Sequence, residues 1–136
     1  MIYEITTSYT TVDNNGNDKV VKEKYLVENV NTFSEAEYLG LEEVGDLENG
    51  DVIAIKRSKL REIINKRSNE EEDIYFAEVA DIRINDDGEQ VEFTYKVACF
   101  AINFDDAHSK INLYIKQGLD DMVARGIKHT KFLGVI

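Results

Sequence analysis

The 136-residue chain has no proline, a single cysteine and two histidines. Each shortage excludes something. One cysteine, Cys99, rules out an internal disulfide framework and fits a reducing cytoplasm. Its alternation with Val97 and Tyr95 points to a buried thiol with nothing nearby in sequence to lower its pKa. Cysteine and histidine are too few and too scattered for a zinc site. Ser/His/Asp catalysis needs an oriented base, and only His108 and His129 could supply one. His108 falls early on a predicted helix, and His129 reads as a polar position. No glycine-rich phosphate loop is present. No apolar run approaches the ~20 residues of a membrane span, and Met1–Ile5 lacks the basic start and apolar stretch of a signal peptide. The absence of proline fits a chain made mostly of strands and helices. These exclusions argue against an enzyme and against any metal or cofactor, in a cytoplasmic protein that does not engage membranes.

What is present is enough to fold. With 43% hydrophobic and 32% charged residues, a chain of this length buries about two-thirds of its unfolded surface. The net charge of -11 is unevenly spread. Residues 51–67 sum to +4 and residues 123–136 to +3, which leaves -18 on the rest. Such segregation can give an acidic protein one face attractive to anions.

Both basic segments contain the same pattern. Ile55-Lys56-Arg57-Ser58-Lys59-Leu60-Arg61-Glu62-Ile63-Ile64 returns as Ile127-Lys128-His129-Thr130-Lys131-Phe132-Leu133-Gly134-Val135-Ile136. The chain between them repeats as well. Residues 3–12 are β-branched, aromatic and roughly alternating, which predicts a strand. Asn15-Gly16 then marks a hairpin, and the return strand runs to Tyr25-Leu26-Val27. Thr32 with Glu35 forms a capping box at the start of a helix that fades near Val44-Gly45. Val52–Ile55 begins a third strand running into the basic segment. In the second half, the strand opens at Ile74, the hairpin turns at Asn85–Gly88, and Phe93, Tyr95, Val97 and Cys99 alternate on the return. Asn103 caps a longer helix whose face carries Phe104, Ala107, Ile111, Tyr114, Ile115, Gly118 and Met122. Tyr25–Val27 aligns with Tyr95–Val97, and Phe33–Ala36 with Phe104–Ala107, at offsets of 70 to 72 residues. The expectation is an α+β fold, an internally duplicated ββαβ-ββαβ arrangement with pseudo-twofold symmetry, mostly antiparallel sheet and one helix per half. The first repeat is placed at 1–66, a charged linker at 67–73 that includes Glu70-Glu71-Glu72-Asp73, and the second repeat at 74–136, the whole forming one compact domain.

Lys22-x-Lys24-Tyr25-Leu26-Val27, the helix start Thr32-Phe33-Ser34-Glu35-Ala36-Glu37, and Ile55-Lys56-Arg57-Ser58-Lys59 resemble the hallmark stretches of domain of unknown function 4494. The resemblance covers nearly the whole chain, although tyrosine stands at strand starts where relatives often carry tryptophan. It implies a small phage or mobile-element protein of Bacteroides-type bacteria and crAss-like gut phages, and it supplies no active site.

The basic stretches are the remaining functional signal. A continuous strand would put Lys56 and Ser58 on one face and Arg57, Lys59 and Arg61 on the other. One reading makes these solubilising edge-strand residues. The other makes Lys56, Arg57, Lys59, Arg61, Lys128, His129 and Lys131 a pair of cationic ribbons for nucleic acid, single-stranded above all, with Tyr9 or Tyr25 available for base stacking. The competing functions are an acidic module acting on a host or phage protein, and sequestration of a small nucleotide between the halves. An exposed edge strand also leaves homodimer pairing open. The Asp13–Asp18 run resembles a calcium loop only superficially, since its glycine comes too early and no glutamate closes it.

Overall fold

The computed structural model describes residues 1–117 and 121–136. The first hairpin pairs β1 (Tyr3–Val12) with β2 (Asp18–Val27) in an unbroken antiparallel register, with Gly16 at φ +81° in the turn. Helix α1 (Phe33–Val44) follows, then β3 (Asp51–Arg57) and β4 (Leu60–Ile63). The second half gives β5 (Asp73–Ile84), β6 (Gln90–Ala101), α2 (Phe104–Lys116), β7 (Asp121–His129) and β8 (Phe132–Val135).

Two compact units result, each with one helix and one four-stranded mixed sheet. The sheets have the order β3-β1-β2-β8 and β4-β6-β5-β7. Unit 1 comprises residues 1–58 and 132–136, and unit 2 residues 59–131. The bounds of these units differ from those of the two sequence repeats. The chain passes between units at Ser58/Lys59 and again at Lys131/Phe132, inside the repeated basic stretches. Each stretch is two strands in two sheets, not one strand. β3 and β7 pair antiparallel with β1 and β5, whereas β8 and β4 pair parallel with β2 and β6. The crossings are held alike: Ser58 N donates to Ile2 O at 2.9 Å, and Thr130 N donates to Ile74 O at 3.1 Å. Alternating apolar residues do not specify which sheet a strand joins, and so a break at Ser58 or Thr130 leaves no trace in the pattern.

The same internal register relates the units. Tyr3 pairs with Val27 and Tyr75 with Cys99; Tyr3 pairs with Arg57 and Tyr75 with His129. The offset is a uniform 72 residues through both hairpins and all outer strands, and 71 at the helix caps Thr32 and Asn103. Tyr25 accordingly corresponds to Val97, and Tyr95 to Glu23. The sequence match of Tyr25 to Tyr95 is two residues out of structural register.

Each helix packs on its own sheet. In unit 1, Ala36, Gly40 and Val44 form the buried stripe of α1 and approach Ile5 and Val52. A Cβ on Gly40 would stand 2.7 Å from Ile5 Cδ1 and 2.8 Å from Val52 Cγ2. In unit 2 the sizes are exchanged: Ile111 of α2 takes the place of Gly40, with Ala77 and Ala124 in place of Ile5 and Val52. The same interlayer space is filled with bulk moved from sheet to helix, as close packing requires.

Helix α2 ends at Lys116, short of the expected face. Met122 lies on β7, where it alternates with Ala124 towards the core, and Gly118 lies outside the described residues. The acidic run 70–73 is also not a solvated linker throughout. Glu72 is 1% exposed. Its Oε1 accepts from Ser68 N, Ser68 Oγ and Asn69 N, and its Oε2 accepts from Lys110 Nζ at 2.8 Å. Those bonds, led by the one from Lys110, hold its carboxyl down to about 2.

Candidate nucleic-acid interface

β3 ends at Arg57, so only its last two basic residues follow strand alternation. Lys56 sits opposite Glu4 and Arg57 opposite Tyr3, on opposite faces of sheet 1. Lys56 Nζ lies 3.9 Å from Glu4 Oε1 and remains largely exposed. In unit 2, Lys128 sits opposite Phe76 and His129 opposite Tyr75, again on opposite faces. His129 Nε2 lies 3.0 Å from Asp73 Oδ2, and its ring tilts against Tyr75 at a centroid distance of 5.1 Å. Lys59 and Lys131 are exposed at the two crossings. Arg61 falls where the β4–β6 register slips, and its guanidinium lies 3.7 Å from the Tyr95 ring centroid. Within unit 2 the sequence-selected residues are dispersed. Arg61 is on edge strand β4, and Lys128 and His129 are on the opposite edge strand β7, roughly 14 Å away at ordinary strand spacing.

Tyr9 and Tyr25 do not offer free rings for stacking. Both are half-buried and donate their hydroxyls to the two oxygens of Glu23, at 2.8 Å and 2.6 Å. That hydrogen bond raises the Tyr9 pKa, and burial followed by the same carboxylate raises that of Tyr25. A carboxylate at the tip of both rings opposes an approaching phosphate.

The structure brings together a different set. Glu4, Thr6, Lys24, Ala54, Lys56 and Phe132 share one face of sheet 1 and, with Ile5 and Ile55, line a depression of about 230 Å³. Phe76, Glu78, Lys96, Gly126 and Lys128 share the corresponding face of sheet 2 and, with Ala77 and Ile127, line another of about 230 Å³. Seven positions match one for one at the 72-residue offset. Each depression is flanked by two lysines, Lys24 and Lys56 or Lys96 and Lys128, on the strands either side of β1 or β5. Two strand spacings separate each pair laterally, roughly 10 Å. Each also borders a bulge at the same place, where Ile53 or Arg125 is the extra residue. Among the described residues, Lys96 and Lys128 have no carboxylate within ion-pairing distance, and Lys24 lies 5.9 Å from the Phe132 ring centroid.

The duplication separates structural identity from other identity. Across residues 2–27 and 51–64 and their counterparts, eight pairs are the same residue. Ile2/Ile74 and Tyr3/Tyr75 are buried, Ile55/Ile127 and Ile64/Ile136 are half-buried, and Gly16/Gly88 both have positive φ. Each of these has a reason in packing or backbone geometry. The other three pairs are Lys24/Lys96, Lys56/Lys128 and Lys59/Lys131, all exposed. No acidic position is identical between the copies in these segments. Lys24 and Lys96 were not among the binding residues read from the sequence because they stand outside the basic stretches. The 72-residue alignment is the signal that finds them.

Burial pushes the Cys99 thiol up to about 11, away from the reactive range. His108 is exposed on α2, with Nδ1 3.0 Å from Asn112 Nδ2. Among the described residues no three His, Cys, Asp or Glu side chains gather as a metal would need, and no helix is long and apolar enough to cross a membrane.

Fold and surface together define an α+β protein built by duplication, with one lysine-flanked depression on each sheet. The whole chain, residues 1–136, matches the family model described as Domain of unknown function (DUF4494), and the protein belongs to that family. No curated protein and no solved structure matches it.

Proposed function

We propose that this is a non-enzymatic nucleic-acid-binding protein of phage or mobile-element type, acting in the cytoplasm of a bacterial host. Its ligand is single-stranded nucleic acid, whose phosphates meet Lys24 with Lys56 and Lys96 with Lys128. The observation that carries this reading is the retention of exposed lysines in both copies, these two pairs among them, where every identity in the aligned strands other than a lysine has a structural reason. A sheet face with paired lysines suits a flexible single strand, because groove recognition in a duplex calls for an inserted helix or ribbon. Each depression also holds one carboxylate, Glu4 or Glu78, so its net charge is modest. The acidic remainder of the chain limits indiscriminate binding through long-range repulsion. Lys59 and Lys131 stand exposed at the crossings, outside the four phosphate contacts, whereas Arg57, Arg61 and His129 are engaged with their own units or face away.

Fluorescence anisotropy with labelled single-stranded DNA, RNA and duplex DNA at ~50 mM salt, where phosphate contacts are strong, tests the assignment. Lys24→Glu with Lys96→Glu abolishes binding, and Arg57→Gln with His129→Gln leaves it nearly unchanged. Equal losses in both variants, or none in either, would remove the depressions from the account.

A further inference from the structure

Helices α1 and α2 do the same packing work, yet their outer surfaces differ. α2 carries Asp105 and Asp106 against Lys110 and Lys116, a balanced set. α1 carries Glu35, Glu37, Glu42 and Glu43 and no basic residue. The imbalance extends further: residues 25–55 contain eight acidic side chains and no lysine or arginine. Packing does not demand this, since α2 covers its sheet without it. α1 also leaves large apolar groups outside. Phe33 is 54% exposed, Tyr38 63% and Leu41 37%. Tyr38 stands on the side opposite the buried Ala36–Gly40–Val44 stripe, and Leu41 on the flank of that stripe. Beside Tyr38 lies an open depression of about 400 Å³ lined by Val30, Ser34, Glu35, Tyr38 and Leu39. Its lining is apolar but for Ser34, Glu35 and the Tyr38 hydroxyl, which donates to Glu42.

We infer that this face of α1 docks a cationic polypeptide segment carrying an apolar anchor. The anchor enters the depression beside Tyr38 and Leu39, and lysine or arginine side chains of the segment meet the carboxylates around it. Charge complementarity selects the partner. A polyanion is repelled from a surface with no cation between residues 25 and 55, and an uncharged apolar segment leaves the carboxylates unanswered. A rim of charge around an apolar centre is the usual anatomy of a specific interface. This surface is separate from the lysine-flanked depressions and stands or falls without them.

The test uses three labelled synthetic peptides: alternating lysine and leucine, the same with glutamate for lysine, and the same with serine for leucine. Anisotropy measures binding, and amide chemical shifts map it. The lysine–leucine peptide binds and perturbs amides of residues 30–43, and the other two do not. Tyr38→Ser weakens it about tenfold or more, with an unchanged melting temperature because the side chain is exposed. Glu42→Lys with Glu43→Lys weakens it through charge alone. Equal binding of the lysine–serine peptide, or shifts centred on the acidic hairpin turns at 13–18 and 85–89, would overturn the inference. So would a concentration-dependent dimer that Tyr38→Ser dissolves, since the face would then belong to a second copy of the chain.

Discussion

Replacing Glu72 with alanine removes a carboxylate that is 1% exposed and accepts four hydrogen bonds. The bonds tie the loop at Ser68–Asn69 to Lys110 on α2. Breaking a buried ion pair on one side costs about 3–5 kcal/mol. Lys110 is partly exposed and keeps Asp106 Oδ2 at 3.1 Å and Phe100 O at 2.9 Å, which puts Glu72→Ala near the lower end, about 3 kcal/mol. For a chain of this size that lowers Tm by about 10–15 °C. Glu72→Gln keeps the shape but turns an amide N–H₂ towards a donor, at about 2 kcal/mol. The pH dependence follows from the sign of the shift. Hydrogen bonds from Lys110 and the Ser68–Asn69 backbone hold the Glu72 carboxyl at about 2, below its ordinary 4.5. Its charged form therefore stabilises the fold above pH 4.5 and gives up that stability as pH falls towards 2. Thermal unfolding followed by circular dichroism should show a gap between wild type and Glu72→Gln that is full at pH 7 and shrinks below pH 4.5. Asp106 is also held low, first by the Ile102 backbone N–H, but it titrates in both proteins and largely cancels. A Tm for Glu72→Ala within ~2 °C of wild type, or a gap as large at pH 3 as at pH 7, would refute the reasoning.

Three further outcomes follow from the packing. Gly40→Ala drives a methyl group into Ile5 and Val52 and should destabilise by about 1–3 kcal/mol in urea titration. Adding Val52→Ala should recover part of that loss, as the exchanged bulk in unit 2 implies. Asn65 accepts from Phe100 N at 2.7 Å and donates to Phe100 O at 2.9 Å, so Asn65→Ala should cost about 1–3 kcal/mol in the same assay. Cys99, fully buried with its thiol pushed up to about 11, should react with a thiol reagent at pH 8 only as fast as the protein opens, and fully in denaturant.

Much of the fold was legible because local chemistry decides it. Asn15-Gly16 makes the first turn, where Gly16 takes the positive φ. Thr32 Oγ1 accepts from Glu35 N, as expected of the Thr32–Glu35 capping box, while Glu35 Oε2 accepts from Asn31 N, one residue ahead of the cap. Asn103 caps α2 through Asp106 N. The failures are non-local. Which sheet accepts residues 60–63 and 132–135 depends on partners far along the chain, and a continuous strand through Ser58 or Thr130 shows the same alternation. Glu72 looks like its solvated neighbours Glu70 and Glu71 until Lys110 is placed beside it. The site was legible in part. Lys56 and Lys128 were visible as a repeated motif, but Lys24 and Lys96 became visible only when hairpin pairing fixed the offset at 72. Arg61 was grouped with them by sequence proximity, although a register slip in β4 carries it onto Tyr95.

The salt dependence of single-stranded DNA affinity tests the central claim most directly, because its slope counts neutralised phosphates. Four lysine contacts predict a slope of about -2.8 in log–log form, about a 50-fold loss between 50 and 200 mM salt. Lys24→Ala with Lys56→Ala, and separately Lys96→Ala with Lys128→Ala, should each reduce the slope to about -1.4. A slope unchanged in both double variants, or no binding by wild type at ~50 mM salt, would contradict the account.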